Sequence, residues 1–379
     1  MLWVVCLVLF LTFSFEDVCA TKLGTTGQEK VNVFHVIDND LWGEVDGSYL
    51  QGSFSCGDID CNVYSSDSKT NLLRTVIQKF ESFHRHPAIS VALYNIHSWK
   101  MISKSPHKPA YCELPTDLNI AESEESHSRF HNLFDSSFPY FDGNSTTWPS
   151  SSIPRAYVSA LNVTEFLPQR PFNSLIKGAS FVASTCHRGR GTTKRELVVE
   201  IMRKQIRVDG LGKCMQSRPN AEGIVLTTGG TALENLRLKQ QAISNYLFHF
   251  SFENSYEPGY VTEKVFDALI AGIVPVYLGP SDDCKRLLPT PSAAIFIDDF
   301  DGDFSKVADY LIYLSRNETA YELHRNWRNQ YIKNQSSFRI SPLLVKSWPC
   351  RVCEWASEEM AGRGIFTSMA SKGRKGAGC

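Results

Sequence analysis

The sequence predicts an α/β protein built from two Rossmann-like domains that face each other across a cleft. Apolar strand patterns alternate with helical patterns in two blocks, and residues 142–155 between them are rich in Gly, Ser, Thr and Pro. The second block holds a strand, loop, helix and strand at 248–280, with polar residues gathered at the end of its first strand. In open α/β sheets, ligands bind at that end of the strands. A chain of 379 residues with 42% apolar content can form two or three globular cores.

Each block can be divided into elements from its apolar periodicity. The first block is expected to form a strand, a helix, a strand, a loop and a short strand, in that order, at residues 31–37, 71–83, 89–96, 103–115 and 118–121. The short strand places Glu122 at its end, in an acidic turn. The second block is expected to form a strand, a helix, a strand–helix pair, the unit described above and a further helix, at residues 180–184, 194–206, 224–243, 248–280 and 304–315. The Gly/Ser/Lys-rich tail after Met360 is expected to be disordered.

The charge of the chain is balanced overall and uneven locally. Lys plus Arg total 39 against 40 Asp plus Glu, so no global field favours nucleic acid or a membrane surface. Residues 186–218 nevertheless hold nine Lys/Arg against three acidic residues. A solvated helix face accounts for Arg203, Lys204 and Arg207. The remaining excess could hold an anionic ligand.

The polar residues of the unit at 248–280 suit a nucleotide sugar. Glu263 and Lys264 fall in the first turn of its helix, where free N–H groups and the helix dipole favour a phosphate. Lys264 can add a point charge, and Glu263 can accept hydrogen bonds from a ribose diol. The alternative is a buried crossover whose Glu/Lys pair is merely solvated.

The motifs of this unit resemble those of the α1,3/α1,4-fucosyltransferase family. The shared pattern is Phe-Glu-Asn at 252–254, Tyr-Val-Thr-Glu-Lys at 260–264, a helix, and Val-Pro-Val at 274–276 in a strand that ends on Gly. Further similarity at 179–184, 295–300 and 327–328 extends the resemblance over roughly residues 120–355. Within the family, the stretches 121–126 and 132–135 look most like the plant Lewis-type α1,4 branch.

The resemblance implies a fold, an activity and a compartment. It implies two Rossmann-like domains in the GT-B arrangement and inverting transfer of L-fucose from GDP-fucose to GlcNAc of glycoprotein glycans. Transfer in α1,4 linkage, giving Lewis a-type termini on N-glycans, is preferred to α1,3 transfer. A hypothesis of another class is an inactive lumenal protein that binds a nucleotide sugar or glycan. The implied partners are GDP-fucose, an N-glycan acceptor and the Golgi membrane, with no nucleic acid.

A single carboxylate is sufficient as the base for an inverting displacement. Glu122 is the first candidate because it lies at a predicted strand end. Glu125 is the second, because Glu-Ser-His at 125–127 matches the family's Glu-Ser-Pro more closely, with His127 in place of Pro. For either residue the competing interpretation is a carboxylate that faces solvent.

The donor side has five candidate residues by resemblance. Arg195 and Lys264 would stabilise the leaving diphosphate, Glu263 would bind the ribose, and Asn254 and Tyr260 would contact phosphate or fucose. No cofactor is expected, because no Asp-X-Asp motif follows a nucleotide-binding strand and no other motif requires a divalent cation.

Glu253 is expected to be structural rather than a base, since strand-end carboxylates often tie down adjacent backbone.

The N-terminus predicts export. Residues 2–15 are apolar-rich and residues 18–20 resemble a small-residue cleavage site, so length alone predicts a cleavable signal peptide. The family instead usually keeps this segment as a type II Golgi anchor, and both alternatives stay open. Four glycosylation sequons fit a lumenal chain, at Asn144, Asn162, Asn317 and Asn334.

The cysteine content also fits a lumenal chain. Of eleven cysteines, two lie in the leader, and the odd remainder implies at least one free thiol. Neither a zinc site nor a redox pair is favoured for Cys350 and Cys353. The resemblance implies structural disulfides from these two to Cys56 and Cys61, with three connectivities open. The expected buried thiols are Cys186, Cys214 and Cys284.

Four segments are therefore predicted. They are a signal peptide or short signal-anchor, an acceptor-side Rossmann-like domain, a GDP-fucose-binding domain, and a Cys-X-X-Cys segment with a flexible tail, at residues 1–20, 21–165, 166–345 and 346–379.

Overall fold

The computed structural model describes most of the second block and the strands of the first. The described residues are 29–36, 52–65, 91–95, 116–119, 143–157, 160–183, 194–217, 232–346 and 348–360. The predicted helix at 71–83, the loop at 103–115 and the tail after Met360 lie outside them.

In the part of the chain that the structure describes, the first sheet has six strands. They are β1 (Glu29–Val36), β2 (Gly52–Cys56), β3 (Ile59–Ser65), β4 (Val91–Asn95), β5 (Thr116–Asn119) and β6 (Gly143–Ser145). Their order is β2-β3-β1-β4-β5-β6, and every neighbouring pair is parallel except the β2–β3 hairpin. The strands predicted at 31–37, 89–96 and 118–121 appear as β1, β4 and β5, and β5 ends two residues earlier than expected.

The composition of residues 142–155 predicts a linker or loop, and this prediction is wrong for Gly143–Ser145, which form β6. Its sequence, Gly-Asn-Ser, carries no strand propensity of its own. Tertiary contacts hold it at the sheet edge: the fully buried Ser145 hydroxyl donates to the Ile153 carbonyl at 3.0 Å and accepts from Trp348 Nε1 at 2.7 Å.

Among the described residues the second sheet has five strands, and all of its neighbouring pairs are parallel. They are β7 (Ile176–Phe181), β8 (Val208–Gly210), β9 (Tyr246–Phe252), β10 (Val274–Leu278) and β11 (Ile295–Phe296). The order is β11-β10-β9-β7-β8. The chain runs from β7 to β8 on one side and then returns to β9 on the other. The carboxyl ends of β7 and β9 therefore form a topological switch point, where open α/β sheets bind ligands.

Nine α-helices occur among the described residues. They are α1 (Arg195–Arg203), α2 (Ala232–Ile243), α3 (Glu263–Ala271), α4 (Ser281–Leu287), α5 (Phe304–Arg316), α6 (Glu318–Leu323), α7 (Trp327–Lys333), α8 (Pro342–Val345) and α9 (Trp348–Met360). The helices predicted at 194–206 and 304–315 correspond to α1 and α5. Of the strand–helix pair predicted at 224–243, the helix is α2 and the strand lies outside the described residues.

The strand β9 is buried on both faces, which its nearly continuous apolar sequence predicts for a central parallel strand. Phe248, Phe250 and Phe252 point into the core shared with α1 and α5. On the opposite face, the Ser251 hydroxyl donates to the Lys264 carbonyl at 2.9 Å, so a polar contact ties α3 to the strand. Helix α3 ends where Gly272 adopts φ +76°, a left-handed conformation that glycine accepts without strain.

Two disulfides join α9 to the first sheet. Cys56 pairs with Cys350 and Cys61 with Cys353, which selects one of the three open connectivities. Cys350 and Cys353 are three residues apart on a helix, so they share the face that packs on β2 and β3.

One expectation about cysteines is wrong. Cys214 is disulfide-bonded rather than a thiol, and sequence spacing gave no sign of it. Cys284 is a buried free thiol, as predicted. Cys186 lies outside the described residues.

In the part of the chain that the structure describes, no helix has both the length and the apolarity to cross a bilayer. The predicted segment boundaries at 20, 165 and 345 stay predictions.

Candidate functional site

Glu253 connects the end of β9 to the start of α3. Its side chain is fully buried. Oε1 accepts from Thr262 N at 2.8 Å, and Oε2 accepts from the Thr262 hydroxyl at 2.8 Å and from Lys264 Nζ at 2.9 Å. A buried carboxylate with all of these donors is held rigidly and has no exposed oxygen to offer a substrate. These contacts are those of a structural residue.

Five charged side chains alternate in sign from β9 across α3 to α2. Lys264 Nζ lies 2.9 Å from Glu253 Oε2 and 3.8 Å from Glu263 Oε1. Lys239 Nζ lies 3.8 Å from the same Glu263 oxygen and 2.6 Å from Asp267 Oδ2. We call Asp267, Lys239, Glu263, Lys264 and Glu253 the charge ladder. Each lysine is thus anchored by a buried carboxylate, and both flank Glu263.

Glu263 is ionised throughout the physiological range. Burial by itself would raise the pKa of this carboxyl, but Lys264 and Lys239 outweigh it and lower the pKa to about 2. The side chain is 28% exposed, against 3% for Asp267 and 0% for Glu253. Glu263 is therefore the ladder's accessible hydrogen-bond acceptor, which suits a ligand with hydroxyl donors.

Arg195 reaches the switch point from the first residue of α1. The residue is 7% exposed, and its Nη1 lies 3.5 Å from the carbonyl oxygen of Phe252, the last residue of β9. Its Nε is buried and makes no hydrogen bond, although Glu196 lies at ion-pair distance, 3.5 Å. A buried guanidinium donor without an acceptor is unfavourable unless a ligand supplies one.

Asn254 presents the complementary group. It follows the end of β9 by two residues, it is 7% exposed, and its Oδ1 is buried without a donor. An unpaired buried acceptor costs about 1–3 kcal/mol. An unpaired donor on Arg195 and an unpaired acceptor on Asn254 thus both lie by the end of β9.

The loop between Asn254 and Thr262 is fixed by close backbone packing. Gly259 has φ +73°, and a Cβ there would lie 1.9 Å from the Thr147 carbonyl oxygen, so only glycine fits. Its N–H donates to Asp283 Oδ2 at 2.8 Å. Tyr260 is 2% exposed and packs edge-on against Tyr157. The predicted contact of Tyr260 with a ligand stays a prediction.

Both candidate bases, Glu122 and Glu125, lie outside the described residues. Their assignment stays a prediction. Strand β5, which was expected to present Glu122, ends at Asn119.

Sequence reasoning missed three residues beneath the site. Lys239 and Asp267 complete the charge ladder, and no motif marks either one. His249 is 1% exposed, and its Nδ1 lies 2.9 Å from the Ser180 hydroxyl. Burial, helped by the nearby Lys239, lowers the pKa of His249 to about 3, so the ring is neutral. Its position within an apolar strand gave no sign of this polar pairing.

The four sequon asparagines differ in exposure. Asn162 and Asn334 are exposed. Asn317 caps α6 by accepting from Ala320 N and donates to the Tyr313 hydroxyl. Asn144 lies half-buried in β6 and accepts from Ser152 N at 2.9 Å. Glycosylation at all four stays a prediction.

Comparison with known proteins defines first a class and then a family. The fold resembles the crystal structure of an α1,3-fucosyltransferase with GDP, with a TM-score of 0.51 and 14% identity over 91% of this chain and 94% of that one. The prediction of an α/β fold with two Rossmann-like domains of GT-B type is confirmed. Residues 175–371, more than half of the chain, match the model of "Glycosyltransferase family 10 (fucosyltransferase) C-term". The chain belongs to this family.

Curated relatives agree with this assignment. A putative fucosyltransferase-like protein of Arabidopsis thaliana is 27% identical over 63% of this chain and 43% of its own length. Alpha-(1,3)-fucosyltransferase 4 of Homo sapiens is 40% identical over 30% of this chain and 20% of its own length. The chain thus spans less than half of these relatives.

Proposed function

We propose that this chain is an inverting fucosyltransferase that moves L-fucose from GDP-fucose to GlcNAc of glycoprotein glycans. The observation that carries the proposal is the pair of unsatisfied buried groups at the switch point, Arg195 Nε and Asn254 Oδ1, together with the ionised Glu263 at the start of α3. The phosphate oxygens of a nucleotide sugar supply an acceptor for Arg195 Nε. Its hydroxyl groups supply donors for Asn254 Oδ1 and Glu263. Membership of family 10 supports the same substrate class.

Each residue of the site has its own role in donor binding. Arg195 and Lys264 stabilise the negative charge that develops on the departing GDP, because preorganised cations act most strongly in a site that excludes water. Glu263 accepts hydrogen bonds from the ribose diol. Asn254 orients a sugar hydroxyl or phosphate, and Tyr260 completes the donor contacts. These side chains take the place of a divalent cation, so EDTA should leave transfer intact.

The acceptor hydroxyl loses its proton to Glu122 as the new glycosidic bond forms and the bond from fucose to GDP breaks. The proton goes to the carboxylate, and GDP leaves with the electron pair. Glu122→Gln should abolish transfer while GDP binding, measured by calorimetry, stays at the wild-type value. Loss of transfer in Glu125→Gln, with near-normal transfer in Glu122→Gln, would make Glu125 the base.

The proposed linkage is α1,4 on N-glycans, as in the plant Lewis-type branch, with α1,3 as the alternative. Purified protein incubated with GDP-fucose and either type 1 or type 2 disaccharide tests it. Product from the type 1 acceptor with fucose on O4 supports the proposal, and product from the type 2 acceptor with fucose on O3 selects the alternative. GDP binding without product from any acceptor would instead indicate an inactive lumenal binding protein.

The proposed location is the Golgi lumen, with residues 1–20 retained as a type II anchor. The disulfides of α9 support an oxidising compartment, since such bonds are rare in the cytosol. N-terminal sequencing of protein from a secretory host distinguishes retention from cleavage. A decrease in apparent mass on deglycosylation tests whether the four sequons carry glycans.

A further inference from the structure

Lys239 occupies the space between two carboxylates of α3. It lies on α2, with Nζ 2.6 Å from Asp267 Oδ2 and 3.8 Å from Glu263 Oε1. Glu263 and Asp267 are four residues apart on one helix, so their side chains lie on the same face. Like charges in this arrangement repel each other unless a cation lies between them.

Asp267 fixes the position of Lys239. It is 2% exposed, and its second oxygen accepts from Gln240 Nε2 at 2.9 Å, so α2 contacts this carboxylate through two adjacent residues. Burial alone would lower the pKa of Lys239, but Asp267 and Glu263 raise it, which keeps the ammonium charged. The charge that faces Glu263 is therefore held by a rigid contact between two helices.

Lys239 acts on Glu263 through its field. At 3.8 Å it makes no hydrogen bond to the Glu263 carboxylate, so it uses none of that carboxylate's acceptor capacity. Among the residues that the structure describes, the other charged groups near Glu263 are Lys264 and Asp267 on its own helix and Glu253, which follows β9, while His249 is neutral.

We propose that Lys239 is a positioning residue of the donor site, which holds Glu263 ionised and aimed at the ribose hydroxyls of a nucleoside diphosphate. The inference rests on the proposed function and deepens it. On this inference, helix α2 takes part in nucleotide recognition, although it lies outside the motif that defines the site. Replacing Lys239 by an apolar side chain of similar length would leave Glu263 and Asp267 to repel each other.

The test compares GDP with 2′,3′-dideoxy-GDP, which lacks the ribose hydroxyls. Calorimetry at pH 7.5 gives the ratio of the two dissociation constants for wild type, Lys239→Met, Lys239→Arg and Glu263→Gln. We expect wild type to prefer GDP, and both Lys239→Met and Glu263→Gln to reduce that preference by about fivefold or more, the range of ordinary site coupling. Lys239→Arg should retain it. Lys306→Met, which removes an exposed lysine of α5, is the matched control and should match wild type.

The double variant Lys239→Met/Asp267→Asn separates positioning from folding, because it removes the buried acid that Lys239→Met leaves unpaired. We expect it to unfold near the wild-type temperature and to regain part but not all of the preference for ribose hydroxyls, because the repulsion from Asp267 is gone while the cation that positions Glu263 is still missing. A folded Lys239→Met with the wild-type preference would overturn the inference, and so would a double variant with the full wild-type preference. A wild-type protein that binds no GDP would instead overturn the proposed function.

A pH series gives an independent readout. From pH 7.5 to 5 the wild-type preference for GDP over the dideoxy analogue should stay constant, because the pKa of Glu263 is about 2. In Lys239→Met the preference should fall further at pH 5, since burial raises the pKa of Glu263 and the Lys239 charge no longer helps Lys264 and the hydrogen bonds from Thr262 and the backbone to oppose it. An equal pH response in the two proteins would count against the inference.

Discussion

Replacing Glu253 by glutamine tests whether this carboxylate is structural. The substitution keeps the shape of the side chain and removes its charge. The new amide NH₂ must face either the Thr262 donors or the Lys264 ammonium, so a donor meets a donor in both orientations. Breaking a buried ion pair typically costs about 3–5 kcal/mol. The Lys264 side chain is 18% exposed and can regain some water, so we expect a loss of about 2–3 kcal/mol in unfolding free energy.

The assay is thermal unfolding followed by circular dichroism. In a domain this large, each kcal/mol of lost stability lowers the melting temperature by a few degrees. A loss of that size should therefore lower it by about 4–12 °C. Asp299→Asn is the matched control, because it breaks an exposed ion pair with Lys285 and should cost less than about 1 kcal/mol. Transfer should fall moderately, as Lys264 loses its anchor. An unchanged melting temperature with transfer reduced more than about a thousandfold would refute the structural role and place Glu253 among the reacting groups.

Three further predictions concern the cations, the disulfides and the buried histidine. Arg195→Ala and Lys264→Ala should each weaken GDP binding and lower kcat/KM by about 10²–10³-fold while the protein stays folded; wild-type GDP affinity in both would remove them from the site. Cys350→Ser should lower the unfolding free energy by about 2–5 kcal/mol in denaturant titrations. Peptide mapping of the unreduced wild type should recover Cys350 linked to Cys56, and a free thiol at Cys350 would contradict the fold. Because the pKa of His249 is about 3, below its ordinary value, unfolded chains bind a proton that the native state does not as the pH falls from 6.5. Stability should therefore decrease between pH 7 and pH 4, and less so in His249→Gln; equal slopes would show that the ring is not held neutral.

The elements around the candidate site could be predicted because their local signals agree with their tertiary environment. The apolar sequence of β9 matches burial on both faces, and the Pro-Gly turn before Tyr260 matches the loop that Gly259 makes possible. Gly272 ends α3 in the conformation that glycine favours. Positions such as Glu263 at the start of a helix follow from these boundaries.

The remaining features depend on contacts between distant segments. The strand β6 exists because Trp348, some two hundred residues away, donates to Ser145. The bond at Cys214 and the choice between disulfide connectivities likewise require a folded chain. Lys239 looks like any surface lysine of an amphipathic helix until α2 is packed on α3 and Asp267 comes within 2.6 Å of it.

Under the proposed function, the charge ladder explains how a site with little net charge can favour one kind of anion. Its two lysines face three carboxylates, so the ladder carries one negative charge, and Arg195 brings the group to neutrality. Long-range attraction for any phosphate is therefore small. The remaining electrostatic contribution is short-range. Each lysine of the ladder is fixed by a buried acid before the ligand binds, so no reorganisation is needed when charge develops on the leaving group. Glu263, between two cations, adds a requirement for hydroxyl donors that inorganic pyrophosphate does not meet. Under the proposed function, the acids that weaken the site's overall field are thus the same groups that make it selective for a nucleotide with an intact ribose.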